Sequence, residues 1–188
     1  MTATPSWRSR ALRSPRTAVI AAVVITVAVA LIVVGATVGS GSSAPRDYGK
    51  AKNFTLSMLG RPGQHLSLQS LAGRPVIVNF FASWCTPCQK ETPLIARFYR
   101  TRQGTVRVVG IDVNDQTSAA LSFIHKNGVA YPVAVDPLPM KTATAYRLPG
   151  LPATFFLNAR HLIVKRVFGA VTQAELDSGA ILMAQRNR

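Results

Sequence analysis

The sequence predicts an α/β domain with a mixed sheet, preceded by one N-terminal transmembrane helix. Three observations predict it. Buried-looking strands alternate with helical stretches after residue 53. The last two strands form a hairpin that ends in a helix. Thr17 to Val38 is an uncharged apolar run, and about 20 such residues suffice to cross a bilayer as a helix.

The chain divides into four parts. Residues 1–16 form a basic tail holding Arg8, Arg10, Arg13 and Arg16. Residues 17–38 are the expected anchor. The arginines before it keep the N-terminus cytoplasmic and put the rest of the chain on the far side of the cell membrane. A cleaved signal peptide has the same charged and apolar regions, and Gly39-Ser40-Gly41-Ser42-Ser43-Ala44 offers small residues for cleavage. Signal-peptide cores span only about 7–15 residues, so the length of this run favours an uncleaved anchor. Residues 39–52 form a Gly/Ser-rich and then charged linker. It reaches at most ~50 Å, which keeps the expected domain, 53–188, near the membrane surface.

Within the domain, Phe54 to Leu59 and Gln64 to Leu68 alternate around Gly60-Arg61-Pro62-Gly63 and predict a β-hairpin. Val76 to Ala82 is a continuous apolar strand broken only by Asn79. A helix follows to about residue 103. Thr105 to Val113 is rich in β-branched residues and predicts a second buried strand. Asp115 to Lys126 carries Ala119, Ala120, Phe123 and Ile124 at helical spacing, with Gly128 as its stop. Tyr131 to Val135 is a short strand, and Pro139 to Tyr146 a short helix. Ala153 to Asn158 and Leu162 to Phe168 pair across the turn Asn158-Ala159-Arg160-His161. Thr172 opens a final helix, with Glu175 completing a capping box.

The net charge is +15. Without the four tail arginines, 18 Lys and Arg face 7 Asp and Glu, a net +11. The basic residues are scattered, with no dense run interleaved with aromatics, so a nucleic-acid interface is not expected.

The chemistry centres on Trp84-Cys85-Thr86-Pro87-Cys88, which holds the only two cysteines in the chain. A Cys-x-x-Cys between a buried strand and a helix is the setting of thiol–disulfide exchange. That reaction needs a thiolate nucleophile and a second thiol close by. Unpaired N–H groups at a helix start stabilise the first thiolate, so Cys85 is the expected attacking sulfur and Cys88 the more buried resolving one. A zinc site would need further ligands. The three histidines, His65, His125 and His161, have no paired-ligand spacing, and no metal is expected. A peroxidase is also disfavoured, because the Thr-x-x-Cys nucleophile pattern is absent. Glu91 lies three residues after Cys88, which on a helix puts it near Cys88. It reads equally as a solvated acid favourable to the helix dipole. Pro93 either opens a helix, leaving the motif in a loop, or kinks one that began at the motif.

Three segments now combine: Phe54-Thr55-Leu56, Leu68 to Pro93 around the Cys-x-x-Cys, and Tyr146-Arg-Leu-Pro-Gly-Leu-Pro-Ala-Thr-Phe-Phe-Leu157. In this order and spacing the chain resembles the thioredoxin superfamily. More closely it is similar to the membrane-anchored, extracytoplasmic thiol–disulfide oxidoreductases of the TlpA/ResA type. The resemblance covers residue 53 to the C-terminus. It implies a thioredoxin-like fold with an N-terminal hairpin and a helix inserted before Asp136. It also implies no cofactor beyond the redox-active disulfide Cys85–Cys88. Trp84 would form a flat rim beside the nucleophile, ordinary core packing being the alternative. Leu151-Pro152 would be a cis-proline turn facing the motif, its backbone pairing with an extended substrate peptide. Glu91 would exchange a proton with the resolving cysteine, or raise the thiol pKa values. Asn79 stands where thioredoxin has a buried aspartate, which shifts attention to Glu91. Pro93 would kink the helix that starts at the motif. The expected activity is reduction of cysteine pairs in exported proteins, such as the haem-site cysteines of apocytochromes c. A membrane thiol-transfer protein of the CcdA/DsbD type would recharge it. A disulfide-forming oxidase is the alternative, and a tethered peptide-binding module with switch cysteines is a third.

Overall fold

The computed structural model describes residues 48–102 and 104–185. The expected tail, the apolar run 17–38 and linker positions 39–47 lie outside these described residues. Among the described residues, no helix is long and apolar enough to cross a membrane.

A short antiparallel pair opens the domain: β1 (Thr55–Ser57) and β2 (His65–Ser67). A 3-10 turn at Gln69–Leu71 leads to β3 (Val76–Phe81), then α1 (Thr86–Thr101), β4 (Arg107–Val113), α2 (Thr117–Lys126) and β5 (Val133–Asp136). The short α3 (Lys141–Ala145), β6 (Ala153–Leu157), β7 (Ile163–Phe168) and α4 (Gln173–Gln185) complete the fold. The five-stranded sheet has the order β5-β4-β3-β6-β7. β3, β4 and β5 are parallel, and β6 and β7 are antiparallel additions. This is the mixed sheet that the sequence predicts.

All six residues of β3 are buried. The strand is central and covered on both faces, so its sequence is a near-continuous apolar run. Ile77 and Phe81 face one core with Ile95, Phe98, Phe123, Phe156, Leu176 and Met183. Val76, Val78 and Phe80 face the other with Val109, Ile111, Tyr146 and Phe155. In that second core the Tyr146 ring lies 5.1 Å from Phe80 and 5.0 Å from Phe155.

Several boundaries differ from expectation, each for a local reason. Met58 bridges to Ala134, and Leu59 donates its N–H to Val133 O, so the end of the expected first strand turns onto β5. The N–H groups of Thr105 and Val106 bond Arg102 O and close α1, which delays β4 to Arg107. The expected helix at 139–146 begins only at Lys141. A cis Leu138–Pro139 bond precedes it, and Met140 is left-handed. The buried Asp136 carboxylate accepts from the N–H groups of Thr142 and Ala143 at 3.2 and 2.7 Å, supplying the cap that Met140 lacks. Tyr48–Lys52, assigned to the linker by composition, packs on the domain. Lys50 bridges to Leu162, Ala51 donates to His161 O, and the Arg166 guanidinium lies 4.5 Å from the Tyr48 ring. The Thr172–Glu175 capping box is present at the start of α4.

α4 packs against β6 at Gly179. A Cβ there would come within 2.2 Å of the Phe156 ring. Gly179→Ala should therefore destabilise the domain by about 1–3 kcal/mol, the usual cost of overpacking. A lowered thermal midpoint would register it, and an unchanged midpoint would contradict this packing.

Candidate active site

β3 delivers the motif and α1 receives it. Ala82 O accepts the Cys85 N–H at 3.2 Å, which turns the chain out of the strand. Cys85 is the N-cap of α1, in extended conformation, and its Sγ accepts the Cys88 N–H at 3.3 Å. Pro87 falls in the first turn, where a missing N–H costs nothing. Cys85 and Cys88 form a disulfide, with Cα atoms 5.2 Å apart. Cys88 is fully buried, whereas Cys85 keeps 5 % of its surface exposed. Reduction would free Cys85 Sγ at a helix N-terminus, where the dipole and free N–H groups favour a thiolate.

α1 runs through Pro93 without a break, so the loop alternative for the motif is set aside. The Thr92 hydroxyl bonds back to Cys88 O at 2.8 Å just before the proline.

Glu91 is buried, which removes the solvated-acid alternative. Its Oε1 accepts from Asn79 Nδ2 at 2.8 Å, and its Oε2 accepts the Val171 N–H at 2.6 Å. Asn79 Nδ2 also donates to Thr154 Oγ1 at 3.0 Å. Burial pushes the Glu91 carboxyl from 4.5 up to about 7, against the lowering effect of those two hydrogen bonds. One buried acid thus joins α1 to β3 and to the segment entering α4, and Asn79 extends the link to β6.

Trp84 is 60 % exposed, so it is rim and not core. Its indole N–H donates to Asn114 O at 3.2 Å. The preceding residue is fixed as well: Ser83 donates its N–H and its hydroxyl to the Asp115 carboxylate. The Leu151–Pro152 bond is cis. Trp84 and Leu151 both line a groove of about 670 Å³, together with Met140, Thr144, Arg147 and Pro149. Trp84, Leu151 and the groove are therefore contiguous, while Glu91 lies inside the core beneath the motif.

Asp112 and Asp115 were not singled out by the sequence pattern. Asp112 sits in the apolar run of β4, where a lone acid resembles a surface position. It is fully buried, and neither carboxylate oxygen has a partner among the described residues. Desolvation, reinforced by the nearby Asp115 charge, pushes it up to about 8. Asp115, two residues before α2, carried a weak signal as a helix-start acid. Among the described residues, no cluster of three His, Cys, Asp or Glu side chains is placed to hold a metal.

Residues 49–166 match the AhpC/TSA family. ResA of Bacillus subtilis, a thiol–disulfide oxidoreductase, is 34% identical over 139 residues, covering 73% of this chain and 72% of the relative. The chain belongs to the AhpC/TSA family, among its ResA-like members. DsbE of Xylella fastidiosa, a thiol:disulfide interchange protein, is 30% identical over 127 residues, covering 68% of this chain and 64% of that one. A solved thioredoxin-family interchange protein from Chlorobium tepidum superposes with a TM-score of 0.64 at 28% identity, covering 73% of this chain and 97% of that one. This ResA-like chain is accordingly a thiol–disulfide oxidoreductase with a thioredoxin-like fold and the Cys85–Cys88 pair. The non-catalytic binding module is thereby set aside.

Glu91 has a pKa higher folded than unfolded, so the native state keeps a proton that the unfolded chain releases. Its stabilising effect is complete below about pH 4.5 and is lost as pH rises through about 7. The loss amounts to roughly 3 kcal/mol. Asp112 acts in the same direction from about pH 4 to about 8. Unfolding free energy of the oxidised protein should fall between pH 4.5 and 8. Glu91→Gln should make the fall between pH 4.5 and 7 shallower, leaving the share of Asp112, and an unaltered slope in that variant would show that Glu91 does not titrate there.

Proposed function

We propose that this chain is a membrane-anchored reductant of protein disulfides outside the cytoplasm, acting on the haem-site cysteines of apocytochromes c. Cys85 thiolate attacks one sulfur of the substrate disulfide and forms a mixed disulfide. The other substrate sulfur leaves as a thiolate and takes a proton. Cys88, deprotonated, then attacks Cys85 Sγ and releases the second substrate sulfur, which is protonated in turn. Two electrons pass to the substrate, and Cys85–Cys88 becomes a disulfide. Glu91 is the proton acceptor for Cys88 and returns that proton when the pair is recharged. With a pKa of about 7 it can do both near neutral pH.

The observation that carries the direction of electron flow is Glu91 itself. Strong oxidants of this chemistry owe their high potential to a stabilised reduced form. A buried carboxylate one turn from Cys88 opposes thiolate formation, weakens the reduced form and lowers the potential. The uncharged run 17–38 supports the anchor, and the arginines before it support an extracytoplasmic domain. Each turnover leaves a disulfide on the far side of the membrane from cytoplasmic reductants. A membrane thiol-transfer protein of the CcdA/DsbD type meets that need. The names of the ResA and DsbE relatives support the reaction class.

The purified full-length chain should have a reduction potential below about −200 mV, and a value near that of DsbA, about −120 mV, would reverse the direction to an oxidase. Cys85→Ser should abolish reduction of an oxidised apocytochrome peptide, whereas Cys88→Ser should accumulate its mixed disulfide. Protease added to intact spheroplasts should digest the domain. Its survival would overturn the placement outside the membrane.

A further inference from the structure

Arg147 stands at the meeting point of two cavities. The first is the groove of about 670 Å³ that Trp84 and Leu151 border. Among the described residues, Arg147 is the only charged one lining it. The second, of about 180 Å³, is lined by Lys50, Lys52, Arg147 and Arg166 and, among the described residues, by no acid. A track of four cations therefore leads away from the rim beside Cys85.

The position of Arg147 is set by the backbone. It follows the end of α3 in the left-handed region, φ 52°, uncommon for a residue other than glycine. Its N–H donates to Thr144 O at 3.0 Å, and the next N–H, of Leu148, donates to Ala143 O at 3.2 Å. Its guanidinium is exposed, and no carboxylate pairs with it among the described residues, where the salt bridge is Arg102–Asp177. Arg166, by contrast, already lies over the Tyr48 and Phe168 rings. An uncommitted planar cation facing an otherwise uncharged groove is suited to a carboxylate, which it can grip through two parallel N–H bonds.

We propose that Arg147 makes the groove selective for polypeptide substrates that carry an acidic side chain near the reacting cysteine. The inference rests on the exchange reaction proposed above, and on Trp84 and Leu151 bordering the path of the bound peptide. The neighbouring Lys50, Lys52 and Arg166 extend the preference to acidic residues further along the same chain. The same charges bias encounter towards acidic segments, an effect that salt screens.

The test uses the full-length chain in neutral detergent and three oxidised two-cysteine peptides. They differ only in one flanking residue, Glu, Gln or Lys. Second-order exchange rates are read from Trp fluorescence. The Glu peptide should react about two- to fivefold faster than the Gln peptide, and the Lys peptide slowest, the size expected of a partly exposed charge pair. Arg147→Gln should collapse the ratios, and Arg147→Glu should invert them. Raising the salt should compress the native ratios towards one. Equal rates for the three peptides, or a ranking that survives Arg147→Glu, overturns the selectivity while leaving the exchange reaction standing. Failure of all three to exceed the rate with Cys85→Ser overturns the exchange reaction itself. A parallel pelleting assay uses phosphatidylglycerol vesicles. If Arg147→Glu weakens vesicle binding but leaves the peptide ranking intact, the cations serve a lipid surface and the proposal falls.

Discussion

The arrangement of the site depends on one unpaired acid in the core. Among the described residues no cation pairs with Glu91, which is held by two N–H donors, from Asn79 and Val171. A carboxyl removed from water must stay neutral or be held by such donors. Its partners come from β3 and from the segment before α4, while Glu91 itself rides on α1. Through Asn79 and Thr154 the network reaches β6, two residues beyond the cis-proline. The helix that carries the cysteines and the strand that follows Pro152 are therefore registered by a polar network, in a core whose apolar contacts alone would permit small slips.

Chemistry and recognition occupy different kinds of structure. The disulfide and Glu91 lie at the buried start of α1, directly behind β3, where burial limits movement. Trp84, Asn114 and residues of the segment 140–151 line the groove on loops and on the five-residue α3. Loops held by a rigid scaffold are where binding surfaces usually lie. Here the scaffold reaches out to the loops through polar contacts, from Asp115 to Ser83 and from Asp136 to the start of α3.

Much of this was legible in the sequence because it is local. The Cys-x-x-Cys sits between a β-branched run and a helix, and the Thr172–Glu175 box spans three residues. Features that join distant segments were not legible. Nothing in the spacing ties Ser83 to Asp115 or Tyr48 to Arg166. Asp112 looked like a polar interruption of a strand, because burial on both sheet faces leaves no alternation to mark it. The left-handed Met140 and Arg147 are not glycines, so their backbone conformation had no compositional sign. Glu91 remained ambiguous until the Val171 segment was seen to cover it.

Cys85 Sγ is at once half of the disulfide and the acceptor that caps α1. Redox state and helix-end stability thus meet on one atom, and folding and reduction become legs of one thermodynamic cycle. Whatever the folded domain adds to the persistence of the Cys85–Cys88 bond must reappear as the gap between unfolding free energies of the oxidised and reduced forms. In a reductant the oxidised form is the sturdier of the two. Were the domain such a reductant, each delivery of electrons would carry it to its more stable form, and recharging it would work against part of the folding energy.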